Sequence, residues 1–454
     1  MTKTEEINRQ IQECAPLSAA EACAAEAAEF LRSEKREWML AGQRYYENQG
    51  DILRRRRWII GENGLPREDP TLTNCRISHG FVRKLVDQKC QYLFGRPFTV
   101  RAENPEFERE LCGFFGQEMR NRMKNLCKEA VNKGIAWLAA YVEEGELRFL
   151  KIPAEQVVPL WADEEHTRLD GVLRLYRREE YRGKEKREVV RAEHWHRGGT
   201  DGYFYRDGKL VPDPERWEMP HLTIDGKPYS FQEVPFIPFK YNEEEMPLLR
   251  FIKPLADDYD LLKSEDANNL LDSPNAVMVL TNYDGEDRGE FRRNLAQYKA
   301  VKVSDNGGLD IKNAPLSTDA VNAHLERTRK DLYEAGRGVD TQREGFGNLS
   351  GVALKFLYAD LDLDCSGLET EFAAGFEKML FFIRSWLFLT GRGDFSGEGA
   401  RLILNRDILI NEAEAIESCA ASEGLLSRET ILENHPWVES LGMELGRLEK
   451  ENRQ

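Results

Sequence analysis

The sequence predicts an α+β fold in which helix predominates. Three observations lead there. Helical periodicity recurs in several long stretches, while a single block from Ile135 to Pro238 alternates apolar and polar residues between glycine turns. The 454 residues are 41% hydrophobic and 32% charged, a balance typical of a water-soluble globular chain. That length allows two to four compact units. No apolar run approaches the ~20 residues needed to cross a bilayer. The N-terminus, "MTKTEEINRQIQE", is polar and lacks the apolar stretch of a secretory signal, so a cytoplasm-like compartment is expected.

Residues 17–47 read as one helix, opened by a capping box of Ser18 and Glu21. Leu31, Trp38 and Tyr45 then recur every seven residues. The run Arg54–Arg57 suits a charged helical face or a salt bridge to a neighbouring chain, and 61–70 reads as a polar loop. In 74–97, Ile77, Phe81, Leu85, Cys90, Tyr92 and Leu93 form an apolar helical stripe that Gly95 and Pro97 end. Another helix is expected from about Pro105 to Asn132. "AWLAAYVEEGELRFLKI" is a hairpin pattern around Glu144-Gly145, and short strands continue to Pro238.

Two charged helices follow, with narrow apolar stripes. One, Leu255–Leu271, places Leu255, Tyr259, Leu262 and Leu270 on its stripe. The other, 318–336, uses Val321, Leu325, Thr328, Leu332 and Ala335 at heptad-like spacing. They read as matched in length, and the insert between them reads strand ("AVMVL"), short helix, strand ("AVKV"), turn, strand ("LDI"). Such helices do not make the core of a lone subunit. They suit the wall of a ring, packing on neighbours along a seam. Gly336 and Gly338 end the second, a glycine-rich loop follows, and an apolar helix runs from Gly351 to about Thr390. The chain is helical again from Ile408, with a new start at Ser427.

Several motifs invite chemistry. The eight cysteines form no CxxC pair, and disulfides are not expected in a reducing compartment. Cys75, His79 and Cys90 fit no standard zinc spacing. His194 and His196 share a strand face without a third ligand nearby, and read as ordinary sheet residues. Asp360, Asp362 and Asp364 alternate in "ADLDLD", which reads as an acidic loop or solvated edge rather than a metal site. Arg392-Gly393-Asp394 is an isolated loop tripeptide. "REGFGNLSGVALKF" lacks the Lys-Ser or Lys-Thr that a phosphate-cradling Walker loop needs. Its glycine spacing is one residue too long for a dinucleotide fingerprint, and a helix precedes it instead of a strand. No cofactor is expected.

"NCRISHGFVRKLVDQKCQYLFGRP", the two charged helices with their insert, "HLERTRKDLYEAGRGVD" and "LSGVALKF" together resemble the portal proteins of tailed bacteriophages, the siphophage-type head–tail connectors. The likeness runs from about residue 40 to 420. It implies a portal-type ring subunit with wing, stem helices, a small α/β clip and a helical crown. Residues 1–247 would be the wing, helical first and β-rich over about 135–240. Residues 248–273 and 315–338 would be stem helices, and 274–314 the clip. Residues 339–350 would be the tunnel loop, 351–392 a wing-crossing helix, and 393–454 the crown and C-terminal tail.

The resemblance also implies roles. The chain would form a homo-oligomeric ring, usually of twelve copies, at one capsid vertex of the virion, after assembly in the host cytoplasm. Double-stranded viral DNA would pass through it without sequence preference during packaging and ejection. Arg343, Phe346, Asn348, Leu349 and Lys355 would line the tunnel, and Lys330 and Arg337 would face the channel from the stem. Arg288, Arg292 and Arg293 in the clip would meet the terminase large subunit, and later head-completion or adaptor proteins. Major capsid and scaffolding proteins complete the implied partners, with no membrane and no metal. The formal net charge of −16 argues against a protein that grips DNA tightly, but suits a wall past which DNA must slide. Two other readings stay open: a DNA-processing enzyme, translocase or nuclease, and an adaptor ring that never touches DNA.

Overall fold

The computed structural model describes residues 18–60, 64–70, 72–182, 184–224, 226–272, 277–281, 306, 308–312, 318–342, 351–406, 412–438 and 441–451. Helix outweighs strand, 49% against 24%, so the class is α+β, mainly α.

Helices α1 (Ala19–Arg32) and α2 (Glu34–Tyr46) replace the single helix expected over 17–47. Ser33 divides them, because its backbone is extended and its hydroxyl accepts from the Arg36 N–H, capping α2. The Ser18–Glu21 capping box forms as read. Strands β1 (Trp58–Ile60) and β2 (Pro66–Glu68) pair antiparallel, with β2 inside the 61–70 stretch that reads as a polar loop. Helix α3 (Phe81–Phe94) stops where Gly95 and Pro97 predict, but residues 74–80 are not part of it. Strand β3 (Thr99–Ala102) leads to α4 (Pro105–Phe114) and α5 (Gln117–Lys133), separate helices where one was expected. Asn104 caps α4 by accepting from the N–H groups of Glu106 and Phe107.

The strands then run β4 (Ile135–Glu143), β5 (Glu146–Ile152), β6 (Val157–Trp161), β7 (Leu169–Arg182), β8 (Glu185–His196), β9 (Gly199–Arg206), β10 (Lys209–Pro212), β11 (Leu222–Ile224), β12 (Lys227–Tyr229) and β13 (Phe236–Lys240). Helix α6 spans Leu248–Asp272, β14 Val277–Thr281, β15 Gly308–Lys312 and α7 Thr318–Ala335. Helix α8 spans Gly351–Leu389 and β16 Ala400–Ile403, and the described C-terminal helices are α9 (Glu412–Ala421), α10 (Arg428–Glu433) and α11 (Leu441–Glu451).

The chain divides into two compact units. The first gathers Met1–Glu47, Val82–Ile252 and Tyr333–Gln454. Its five-stranded sheet has the order β10-β9-β8-β7-β6, and its three-stranded sheet the order β13-β4-β5. The β4–β5 hairpin turns at Glu144 and Gly145 with φ of 53° and 77°, left-handed at both positions as in a type I′ turn. From Ile135 to Ala140, β4 is buried continuously because both its faces are covered, whereas β5 alternates. Met39, Trp137, Ile152, Val172 and Phe236 meet in one core cluster. Helix α8 lies on β13, with the Phe372 and Phe239 rings 5.1 Å apart. Strand β16 pairs with β3.

The second unit comprises Asn48–Phe81 and Lys253–Leu332, so residues 48–81 cluster with most of α6 and α7. Its two helices are unequal, 25 residues for α6 and 18 for α7, or about 37 and 27 Å at 1.5 Å per residue. On α7, Leu325, Thr328 and Leu332 are buried as the stripe predicts, while Ala335 is exposed. On α6 the expected apolar seam is buried only at Tyr259, with Leu255 and Leu262 half-buried. Leu270 is 62% exposed, and the buried row is Ala256, Tyr259, Asp260, Ser264 and Asn268.

The polar members of that row explain why 74–80 is not helical. The N–H of Cys75 donates to Asn268 Oδ1 (2.7 Å), that of Ile77 to Ser264 Oγ (3.0 Å) and that of His79 to Asp260 Oδ1 (3.0 Å). Every second amide of one segment meets every fourth side chain of the helix. Two residues of extended chain advance about 6.6 Å and four of helix about 6.0 Å, so the spacings match. The segment satisfies its backbone on α6 instead of on itself. Three residues of the arginine run pair within the chain: Arg55 and Arg57 both with Glu265, and Arg56 with Glu68. Burial raises the Glu265 pKa, but Arg55, Asn268 and Arg57 outweigh it and hold the carboxyl below its ordinary value. Strands β14 and β15 pair from Val277↔Lys312 to Thr281↔Gly308, as the two outer strands of the insert were read. Its "AVKV" strand and short helix lie outside the described residues.

Replacing Asn268 by Ala strands the Cys75 amide inside the unit, a loss of about 1–3 kcal/mol. Hydrogen exchange should then quicken at Cys75–His79 and stay unchanged in β4. Equal protection in both variants would show that the ladder is not what fixes this segment.

Candidate functional site

Both ends of the glycine-rich segment 343–350 are fastened in the first unit, and α3 does the fastening. On the entering side the chain leaves α7 through Arg337, whose φ of 47° is left-handed. Gly338 then passes so close to α3 that a Cβ would stand 2.2 Å from Leu85 Cδ2 and 2.9 Å from Gln88 Oε1, so any side chain there would force Leu85 and Gln88 to shift. The Gln88 amide pairs with Val339 as a second strand would: the Val339 N–H donates to Gln88 Oε1 (2.8 Å), and Gln88 Nε2 donates to the Val339 carbonyl (3.0 Å). Lys84 lies over the Tyr333 ring at 5.1 Å.

Lys89 joins the two sides. Its side chain is wholly buried, and its Nζ donates to the Arg337 carbonyl (3.1 Å) before the loop and to Asp364 Oδ2 (2.6 Å) after it. Tyr241 on the segment after β13 donates to the same Oδ2 at 2.9 Å. Two positions back on α8, Asp362 accepts from the Tyr92 hydroxyl (2.7 Å) and pairs with Arg406. Arg406 also reaches Glu369 (2.6 Å) and Ser366 Oγ (3.0 Å). Burial, then the Asp362 hydrogen bond and charge, push the Tyr92 hydroxyl up. Burial and Asp364 do the same to Tyr241. Both therefore stay protonated and donate at neutral pH. Burial opposes the charge of Arg406, but Glu369 and Asp362 outweigh it and raise its pKa.

The Asp residues of "ADLDLD" are thus helical, not an acidic loop: Asp360 is exposed, while Asp362 and Asp364 are consumed by ion pairs. The seven described cysteines are free thiols. Burial pushes Cys365 up to about 12, which leaves it a neutral packing group. His79 binds Asp260 (2.9 Å) instead of meeting a cysteine ligand set. The His194 and His196 rings are 5.4 Å apart, and burial and His196 lower the His194 pKa. Among the described residues no three His, Cys, Asp or Glu side chains are arranged to hold a metal ion. Among the described residues, no helix is long and apolar enough to cross a membrane.

Of the residues singled out by sequence, Arg343, Phe346, Asn348 and Leu349 lie outside the described residues, as do Arg288, Arg292 and Arg293. Lys330 is exposed on α7 and Lys355 on the first turns of α8. Arg337 is exposed, its carbonyl accepting from Lys89 and its guanidinium standing 3.5 Å from Asp364. Sequence reading missed Gln88, Lys89, Tyr241 and Arg406. Lys89 carried a signal: it occupies the buried stripe with Val82, Leu85, Val86 and Leu93, where a lysine demands a buried acceptor.

Comparison with known proteins gives a consistent picture. The family model described as "Phage portal protein, SPP1 Gp6-like" matches residues 32–454. The portal protein of Bacillus phage SPP1 is 34% identical over 463 residues, covering 100% of this chain and 91% of that protein. The portal protein of Clostridium phage phiCD119 is 31% identical, covering 90% and 91% respectively. Among solved structures, a chain from the neck of an empty GTA particle, computed with C6 symmetry, aligns at a TM-score of 0.41 and 12% identity, over 78% of this chain and 88% of that one. A chain from the neck of the native GTA particle, computed with C12 symmetry, gives 0.41 and 14% over 77% and 88%.

Lys89→Met leaves Asp364 without its buried cation and should cost about 3–5 kcal/mol. Thermal melting should show the loss, and limited proteolysis should cut faster within 339–350. Adding Asp364→Leu should return part of the melting temperature. If Lys89→Met melts and digests like the parent, the clamp is not what fastens the loop.

Proposed function

The chain belongs to the SPP1 Gp6-like family of phage portal proteins, and from that premise we propose that it forms a homo-oligomeric ring, twelve copies in the virion, at one capsid vertex. The ring is the channel through which double-stranded DNA enters during packaging and leaves at ejection. The observation that carries this reading is the order of parts around the loop. A long helix, a paired-strand insert, a second helix, a left-handed turn and the 343–350 segment lead into a 39-residue helix. One buried lysine fastens both sides of that segment. A loop held so firmly at its ends is fitted to press on something that moves past it.

In this reading 248–273 and 315–338 are the stem and 274–314 the clip. Arg288, Arg292 and Arg293 there meet the terminase large subunit during assembly in the host cytoplasm, and afterwards head-completion or adaptor proteins. Major capsid and scaffolding proteins surround the wing, 1–247. Arg343, Phe346, Asn348, Leu349 and Lys355 touch the duplex without reading its sequence, joined by Lys330 from the stem. Phosphate contacts from a few bases on an acidic chain are weak enough to break as DNA advances. The ring acts as a conduit and not as an enzyme, and the commitment of Asp362 and Asp364 to ion pairs supports that.

Electron microscopy of the purified chain should show closed rings whose central hole admits a ~20 Å duplex, a width in keeping with its groove dimensions. A narrower hole, or single subunits under every assembly condition, would defeat the conduit. Deleting 345–350, or the single change Asn348→Asp, should leave ring formation intact and reduce the DNA packaged per particle. Normal packaging by both variants would remove the loop from the mechanism.

A further inference from the structure

The β1–β2 hairpin has three residues in each strand, and a ribbon that small is not stable alone. It nonetheless exposes Trp58 (58%), Ile60 (80%) and Leu65 (63%). Trp58 and Ile60, two positions apart, share one face. Its base is firmly seated: Arg55 and Arg57 pair with Glu265, Arg57 also donates to the Thr73 carbonyl (2.5 Å), and Asn74 donates to that of Arg55 (3.1 Å). This is a fixed arm with an apolar outer face.

The same unit carries a surface that matches it. Helix α6 exposes Leu270 (62%) and Leu271 (68%), less than two turns beyond Glu265. Between Lys253 and Asp272 the helix has six acids and two bases, whereas the arm carries exposed Arg54, Arg56 and Arg67. The two patches are both apolar at the centre and both open to water in one chain, and Asp266, one turn before the leucines, offers the arm's arginines an acid, since Asp257, Asp258, Asp260 and Glu265 are already held by Lys253, His324, His79 and Arg55. The arm therefore does not cover its own helix. Both also sit at one level along α6, the arm rooted at Glu265 and the leucines just past it. Rotation about an axis parallel to α6 keeps every residue at its level, so a head-to-tail contact between such patches is compatible with a closed ring.

We propose that the β1–β2 arm of each subunit docks on the Leu270–Leu271 face of a second copy of this chain. Trp58 and Ile60 supply the buried apolar contact, and the arm's arginines meet Asp266 of α6. The proposal rests on the ring reading and adds which surfaces meet.

The test uses the full chain with p-benzoylphenylalanine in place of Ile60. Unlabelled and nitrogen-15-labelled chains are mixed before assembly, irradiated, and their cross-linked peptides read by mass spectrometry. Residue 60 should join the 261–271 segment, with mixed-isotope pairs among the products. Single-isotope pairs alone, or cross-links to another segment in intact rings, overturn the arm and leave the ring reading standing. Absence of rings from the parent chain overturns both. Independently, Trp58→Ser with Ile60→Ser should raise the concentration for half-assembly at least about tenfold, with the subunit's circular dichroism unchanged. An unchanged concentration also overturns the proposal.

Discussion

A single buried ammonium group organises the site. Lys89 sits on the apolar face of α3, where a cation without acceptors would cost several kcal/mol. Its acceptors come from two distant parts of the chain, the Arg337 carbonyl and the Asp364 carboxylate. Neither can shift far without stranding the charge. The attraction of a buried pair barely exceeds its desolvation cost, so the pair contributes geometry more than stability. The geometry concerns the separation and direction of the two chain segments that flank 343–350. Gln88, by pairing with both backbone groups of Val339, fixes the register of the first segment. Tyr92, through Asp362, does the same for the second.

The second unit meets a different demand with similar means. Few of its described apolar side chains are buried, and its helix α6 buries Asp260, Ser264 and Asn268 where a core helix would bury leucines. Each accepts a backbone N–H from the 75–79 segment, so burial leaves none of those amides unpaired. A polar seam of this kind tolerates no slip, because moving the segment by one residue turns its amides away from the acceptors. Hydrophobic packing alone would permit such sliding. Polar pairing also ties the two helices, since Asp258 accepts from Thr328 and pairs with His324 on α7.

Much of this could be read from residue order. Glu144-Gly145 marked the hairpin because a glycine between two alternating runs lets the chain take up the left-handed turn that reverses it. Gly95 and Pro97 marked the end of α3, and the apolar run after Gly351 marked α8. The failures share a cause. Ile77 continues the 3.6-residue spacing of Phe81 and Leu85, so periodicity extends the helix through 74–80, and only the distant Asn268, Ser264 and Asp260 make another conformation cheaper. Ser33 is compatible with a helix interior until its hydroxyl caps the next one. Asp362 and Asp364 look solvated because alternation places them on opposite sides of a helix, and it took Lys89, Tyr241 and Arg406 to show that both are held.

The glycine loop illustrates the same limit from the other side. Its composition is equally suited to wrapping a phosphate or to brushing a surface, because glycine only enlarges what the backbone can do. What separates the two is how the ends are anchored. A phosphate cradle needs the N–H groups of the loop and the following helix to converge on one point. Here the preceding chain is pressed against Leu85 at Gly338, and the following helix is tied down some three turns later, at Asp362 and Asp364. Phe346 and Leu349 are the only large apolar residues from 343 to 350, so the segment brings little material for a core of its own. Stability at this site therefore resides in the clamps, and the residues between them are free to be selected for what they touch.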